Sequence, residues 1–190
     1  MGVLEKIMKG KKIGAAIRRV ADLPEALCHS NIGTIFLLGG DINYLPSMIK
    51  KVRAAEKVLL VHMDLIEGVG RDRAGMHLLK RLKIHGIVTT KTNLVKYARE
   101  EGLWVIQRFF IVDSESLKTA IKVAGNVKPT AVEILPATVP RYTIEEMKKA
   151  LGVPVLGGGL LKTEEDVKQA LAKGLDGIST SRRHLWNIDV

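Results

Sequence analysis

The chain has 190 residues, of which 46% are hydrophobic, 26% charged and 4% aromatic. That make-up excludes disordered and fibrous chains and suits one domain spanning residues 1–190, because a chain of this size buries about 70% of its unfolded surface. Thirty Lys and Arg against twenty Asp and Glu leave a net charge of +10, which favours anionic partners, although a heat-adapted surface has the same signature.

Cys28 is the single cysteine, so no intrachain disulfide is expected. No apolar run approaches the roughly 20 residues of a membrane span, and the charged amino terminus lacks a signal-peptide core. The protein is read as cytoplasmic, with no membrane partner.

Short aliphatic and β-branched runs alternate with longer amphipathic stretches, the pattern of parallel βα units. Strands are predicted to start near Ile13, Thr34, Val58, Gly86, Trp104, Thr130, Val153 and Asp176. Their spacing of about 23 residues fits one strand, one helix and two short loops per unit. Among the helices, Thr143–Ala150 and Thr163–Lys173 open with Thr followed by Glu, a capping pattern, and Gly174 is expected to end the second. Eight units with no remainder predict a single-domain (β/α)8 TIM-like barrel, trimmed relative to the roughly 250 residues that are typical. The alternative is an open doubly wound sheet, but no G-x-G-x-x-G follows the first strand.

In a barrel the inward residues near the strands' C-terminal ends line the site. On the third strand Leu59, Val61 and Met63 form an apolar row, so alternation turns His62 and Asp64 to the axis, with Glu67 on the loop above. On the sixth, Val132 and Ile134 face the helices and Glu133 the interior. A buried carboxylate needs a partner, and Lys91, Gln107 and Arg108 are the candidates, either in a ligand site or in a self-contained ion-pair network plugging the barrel.

After the seventh strand come Gly157, Gly158 and Gly159, and after the eighth Ser179, Thr180 and Ser181 with Arg182 and Arg183 behind. Glycines let backbone approach an anion, hydroxyls donate, and Ser181 is expected to cap a short helix. A phosphate site at this point recurs in barrels. The scattered histidines lack metal-ligand spacing, so no metal is expected, and Cys28 lies at a helix end where no thiol nucleophile is expected. So few aromatics provide no stacking platform for RNA, and any nucleic-acid contact would lean on Lys and Arg.

The segments 62–68, 87–94, 106–114, 133–136, 158–160 and 179–181 together resemble, in the same order, the bacterial glycerol uptake operon antiterminator regulatory proteins. The match runs over nearly the whole chain and departs from the family pattern only around Lys12–Ala16, where a proline often precedes the first strand, and in the run of three glycines. The matching positions are His62, Asp64, Glu67, Thr90, Lys91, Asn93, Gln107, Arg108, Asp113, Glu133, Gly158, Gly159, Ser179, Thr180 and Ser181. The resemblance implies a non-enzymatic barrel regulator without a cofactor. Its effector would be glycerol 3-phosphate and its partner the leader mRNA of glycerol-utilisation transcripts, whose premature termination it prevents.

On physical grounds the phosphate is assigned to Gly158, Gly159, Ser179, Thr180 and Ser181. The ligand hydroxyls are assigned to a polar cluster of His62, Asp64, Glu67, Lys91, Gln107, Arg108 and Glu133. RNA contacts are assigned to Lys50, Lys51, Arg182 and Arg183, and a homo-oligomer is left open. The competing function is a barrel aldolase or isomerase of a small sugar phosphate, with Lys91 as Schiff-base or electrophilic group and Asp64 or Glu133 as base.

Overall fold

Eight parallel strands close in chain order: β1 (Ile13–Ile17), β2 (Ile32–Leu37), β3 (Val58–His62), β4 (Gly86–Thr89), β5 (Trp104–Phe110), β6 (Ala131–Leu135), β7 (Val155–Gly158) and β8 (Gly177–Thr180). β8 pairs back onto β1, with Ile13, Gly14 and Ala15 opposite Ile178, Ser179 and Thr180. The computed structural model describes residues 2–190. The closure rules out the open sheet, and each strand starts within two residues of its predicted position.

The helices are α1 (Val3–Met8), α2 (Leu23–Cys28), α3 (Leu45–Ala54), α4 (Arg73–Arg81), α5 (Thr92–Glu100), α6 (Ser114–Val127), α7 (Arg141–Leu151) and α8 (Glu164–Ala172). A 3₁₀ turn at Val20–Asp22 precedes α2, and a 3₁₀ helix at Arg183–Asn187 follows β8. The trimming falls at the seam of the barrel, where α2 has six residues and the five-residue 3₁₀ helix replaces a last α-helix.

Two helix starts test the capping expectation. Thr163 caps α8 by accepting from the Asp166 amide, and the reciprocal acceptor is the Asp166 carboxylate, not a Glu. Thr143 caps nothing. Its helix begins two residues earlier at Arg141 behind Pro140, and Thr143 is buried on the helix's inner face. α8 stops at Ala172, with Gly174 two residues on in a left-handed conformation (φ 111°).

Strand alternation divides the core into two shells. Leu59, Val61, Val132 and Ile134 belong to the outer shell between sheet and helices. Ala16, Phe36, Val58, Leu60, Val88, Ile106 and Leu156 fill the barrel interior. Gly14 makes room for Phe36, since a Cβ there would come within 2.4 Å of its ring.

α1 stoppers the N-terminal end of the barrel. Ile7 and Met8, both under 2% exposed, join the interior shell, and the Thr34 hydroxyl donates to the Ile7 carbonyl. Burying two such side chains is worth about 1.5–3 kcal/mol each. β2 starts at Ile32 and not at Thr34, and its pairing with β1 slips by one residue at Gly33. Gly33, which reads as a break in the strand pattern, is where a Cβ would meet the Met8 carbonyl at 2.5 Å.

Candidate functional site

A polar layer lies across the interior at the C-terminal ends of the strands, above the apolar shell. Glu133 on β6 is fully buried, and β-sheet register sets it directly beside Arg108 on β5, whose Nε donates to Glu133 Oε2 at 2.6 Å. The Ser179 hydroxyl from β8 donates to the other carboxylate oxygen. Gly158 on β7, the register partner of Ser179, leaves the room this contact needs. A Cβ there would stand 2.8 Å from Ser179 Oγ and 3.1 Å from Glu133 Oε1. A carboxylate desolvated to this degree is held by one charge-assisted and one hydroxyl hydrogen bond.

His62 on β3 is buried beside this pair. Burial, and then the positive charge of Arg108, keep its imidazole below the ordinary value against the opposing pull of Asp64 and Glu133. Its Nδ1 has no hydrogen-bond partner among the described residues.

Asp64 lies one residue beyond Met63, past the end of β3, and is tied to β4 instead of reaching the axis. It accepts from Thr89 Oγ1 at 2.6 Å, Thr90 N at 2.8 Å and Thr90 Oγ1 at 2.7 Å. Burial pushes its carboxyl up, but these three donors together outweigh that and hold it below the ordinary carboxylate range.

The expected polar cluster therefore divides. His62, Arg108, Glu133 and Ser179 meet in the interior, and Asp64 forms its own clamp with Thr89 and Thr90. Gln107 departs furthest. As the neighbour of inward-facing Arg108 it faces the helix layer, where it is fully buried with neither amide atom partnered among the described residues. Lys91 is the exposed residue preceding α5, its backbone N–H donating to Thr89 Oγ1 at 3.0 Å, and it is not the partner of Glu133. Glu67 is exposed on the loop after β3, where its backbone bridges to Asp41.

Above the polar layer opens a cavity of about 300 Å³, bordered by all five residues assigned to the phosphate. Its wall includes Arg18, Arg108, Lys162 and Arg182, with Ala16, Leu38, Leu135 and Leu160 as apolar surface. No carboxylate is among the described residues that border it, and Glu133 is matched by Arg108, so the surplus charge of the cavity is positive. Arg18 and Lys162 were missed by the sequence reading. Arg18 directly follows β1 and Lys162 stands on the loop from β7 to α8, and a place on the loops that leave the strands' C-terminal ends is the signal that could have found them.

Ser181 is exposed at the cavity wall but caps no helix. The residue preceding the 3₁₀ helix is Arg182, its N–H donating to Thr180 Oγ1 at 3.2 Å, and the buried Trp186 ties the segment down by donating to the Thr180 carbonyl at 2.9 Å. Arg182 and Arg183 part company here. Arg182 borders the cavity, whereas Arg183 pairs with Glu25 and with Asp22, the latter at 2.8 Å. Lys50 and Lys51 are exposed on α3. Among the described residues no group of three His, Cys, Asp or Glu could hold a metal ion, and no helix is long and apolar enough to cross a membrane.

Three relatives align over almost the whole chain. The uncharacterized protein YgcP of Escherichia coli K12 is 31% identical over 186 residues, covering 96% of this chain and 95% of its own. The crystal structure of a glycerol uptake operon antiterminator regulatory protein from Listeria monocytogenes superposes with a TM-score of 0.84 at 29% identity, over 92% of this chain and 94% of that one. A glycerol uptake operon antiterminator-related protein from Thermotoga maritima gives 0.82 at 30% identity, over 93% and 98%. Residues 13–186, from the first residue of β1 to Trp186, match the family itself. The chain belongs to the glycerol-3-phosphate responsive antiterminator family.

Proposed function

We propose that this protein is a non-catalytic cytoplasmic regulator that binds glycerol 3-phosphate at the C-terminal face of the barrel and, so loaded, acts on the leader RNA of glycerol-utilisation transcripts. The observation that carries the ligand assignment is the cavity. Glycine backbone and three successive hydroxyl residues meet Arg18, Lys162 and Arg182 there, besides the Arg108 that is paired with Glu133, and no carboxylate is among the described residues that border the cavity. A phosphate monoester dianion supplies the charge this wall lacks. The short polyol lies over Arg108, which borders the cavity and supplies donors, with Glu133 beneath holding that guanidinium in place.

The competing aldolase reading requires an amine poised over the substrate. Lys91 sits exposed at the start of α5 and outside the cavity lining, so it lends that reading no support. No cofactor is needed for the proposed role.

Calorimetry with glycerol 3-phosphate, glycerol and inorganic phosphate tests the assignment. Glycerol 3-phosphate should bind tightest, and equal affinity for glycerol would remove the phosphate cup. Triose and pentose phosphates should be recovered unchanged after incubation. Turnover abolished by Lys91→Ala would establish the enzyme reading in its place.

A further inference from the structure

The ten net positive charges are unevenly placed. Counting the last four residues of each helix, the loop from there into the next strand, and the residues after the final 3₁₀ helix, this part of the chain holds fifteen Lys and Arg against seven Asp and Glu. The rest holds fifteen against thirteen. Eight of the ten net charges thus belong to the segments that build the N-terminal face, opposite the cavity.

Helix C-termini attract cations on their own account, and some of these groups have internal duties. Arg99 bonds the Val127 carbonyl, and Lys148 the Asp176 carboxylate. Lys9, Lys11, Lys12, Lys80, Lys83 and Lys128 have no such duty. All six are exposed, and none has an ion-pair partner among the described residues.

Three of them occupy positions that disfavour any side chain. Lys9, Lys83 and Lys128 have φ of 54°, 63° and 51°, in the left-handed region where a helix often ends on glycine, as α7 does at Gly152; of the helix ends so built on a charged residue, only that of α3 carries an acid, Glu56 at φ 55°, among the described residues. A cation at a helix end gains less than a side chain loses by adopting that conformation. The fold alone would favour glycine, and lysine stands there instead.

The charges are also contiguous. Arg53 Nη2 donates to the Lys83 carbonyl at 2.7 Å, joining the end of α3 to the end of α4. Burial, and then the nearby charges of Arg53 and Lys9, hold the His85 imidazole below its ordinary value, so three segments converge beside the start of β4. The exposed Phe and Tyr side chains, Tyr44, Phe110 and Tyr142, all lie on segments at the other end of the barrel. A surface of lysines whose aromatics, Tyr97 and Trp104, are half-buried, the latter stacked on His85, fits the phosphate backbone of a nucleic acid better than its bases.

We propose that the N-terminal face, centred on Lys9, Lys11, Lys12, Lys83 and Lys128, is the docking surface for RNA, on the opposite side of the barrel from the effector cavity. This rests on the RNA-directed reading above.

The left-handed lysines supply a test that spares the fold. In the triple variant Lys9→Gly/Lys83→Gly/Lys128→Gly every replacement suits its backbone, so circular dichroism and glycerol 3-phosphate affinity should match the wild type. Titrated with the leader RNA in the presence of ligand, the variant should bind about a hundred-fold more weakly at about 0.1 M salt, with a salt slope shallower by about two, since each lost single-strand phosphate contact removes about 0.7. Lys11→Gln/Lys12→Gln should act in the same direction without touching those turns.

Wild-type RNA affinity and slope in both variants would overturn the surface while leaving the regulatory reading standing. A wild-type protein that binds no leader RNA even at low salt with ligand present would overturn both. Preference of the wild type for anionic phosphatidylglycerol vesicles over RNA would also overturn the assignment to RNA.

Discussion

Glu133 is the residue on which the site turns, because it is a fully buried carboxylate whose two oxygens are taken by Arg108 and Ser179. Removing one partner of a buried pair leaves an uncompensated charge, at a cost of about 3–5 kcal/mol. Arg108→Met should therefore lower the urea midpoint strongly. Arg108→Met/Glu133→Leu should recover most of the loss, because two apolar side chains of similar volume need no partner, and should still fail to bind glycerol 3-phosphate.

Titration at this scale has a definite sign. The carboxyl of Asp64 is held low in the folded protein, so its contribution is present above the ordinary carboxylate pKa of about 3.9 and is lost as pH falls through the folded value. His62 and His85 are also held low. Their contribution is present above the unfolded imidazole pKa of about 6.5 and is lost as pH falls below it, because the unfolded chain then binds the protons. Denaturant melts from pH 8 to pH 5 should show stability declining, and the decline should be shallower in His62→Gln, which removes one of the two groups.

Elements differ in how much each secures. α8 owes its start to the reciprocal bonds of Thr163 and Asp166, so Thr163→Ala should cost about 1 kcal/mol, or about 2–4 °C of melting temperature. α1 is six residues long and would not persist alone, yet Ile7 and Met8 lock into the interior shell. Met8→Ala should therefore cost about 2–5 kcal/mol, more than the cap at the head of a longer helix. A destabilisation below 1 kcal/mol would mean that the stopper contributes little.

At the scale of the molecule, cavity and basic face are the two ends of one barrel. The interior shell lies between them, with α1 contributing Ile7 and Met8 to that shell while carrying Lys6 on its exposed side. Glycerol 3-phosphate at about a hundred times its Kd should stabilise the fold by about 2.7 kcal/mol, a rise of roughly 5–10 °C in melting temperature. If ligand tightens RNA, RNA must tighten ligand by the same factor, and calorimetry of ligand with and without bound RNA reads this directly. Reversing the charge of Arg183 would be a poor probe of RNA, because its pairs with Asp22 and Glu25 hold the seam near α2.

The strand series, the barrel, the inward turn of His62 and Glu133 and the glycine and hydroxyl residues that border the cavity were all legible in the sequence. Each follows from alternation along a strand or spacing between strands, and both act over a few residues. The same alternation places Gln107 behind Arg108 once one of the pair is known to face inward, but only the partner on the neighbouring strand decides which. Glu133 meets Arg108 at a separation of 25 residues and Ser179 at 46, and Lys91, equally plausible by charge, is carried outside by the start of α5. The fate of Ser181 was likewise hidden, because Trp186 ties the 3₁₀ helix back onto Thr180 and leaves Arg182, not Ser181, as the residue that precedes it. Local pattern determined which residues could form the site. The register of β5 on β6 and the curl of the sheet that brings β8 to β6, which set residues far apart in the chain together, decided which of them do.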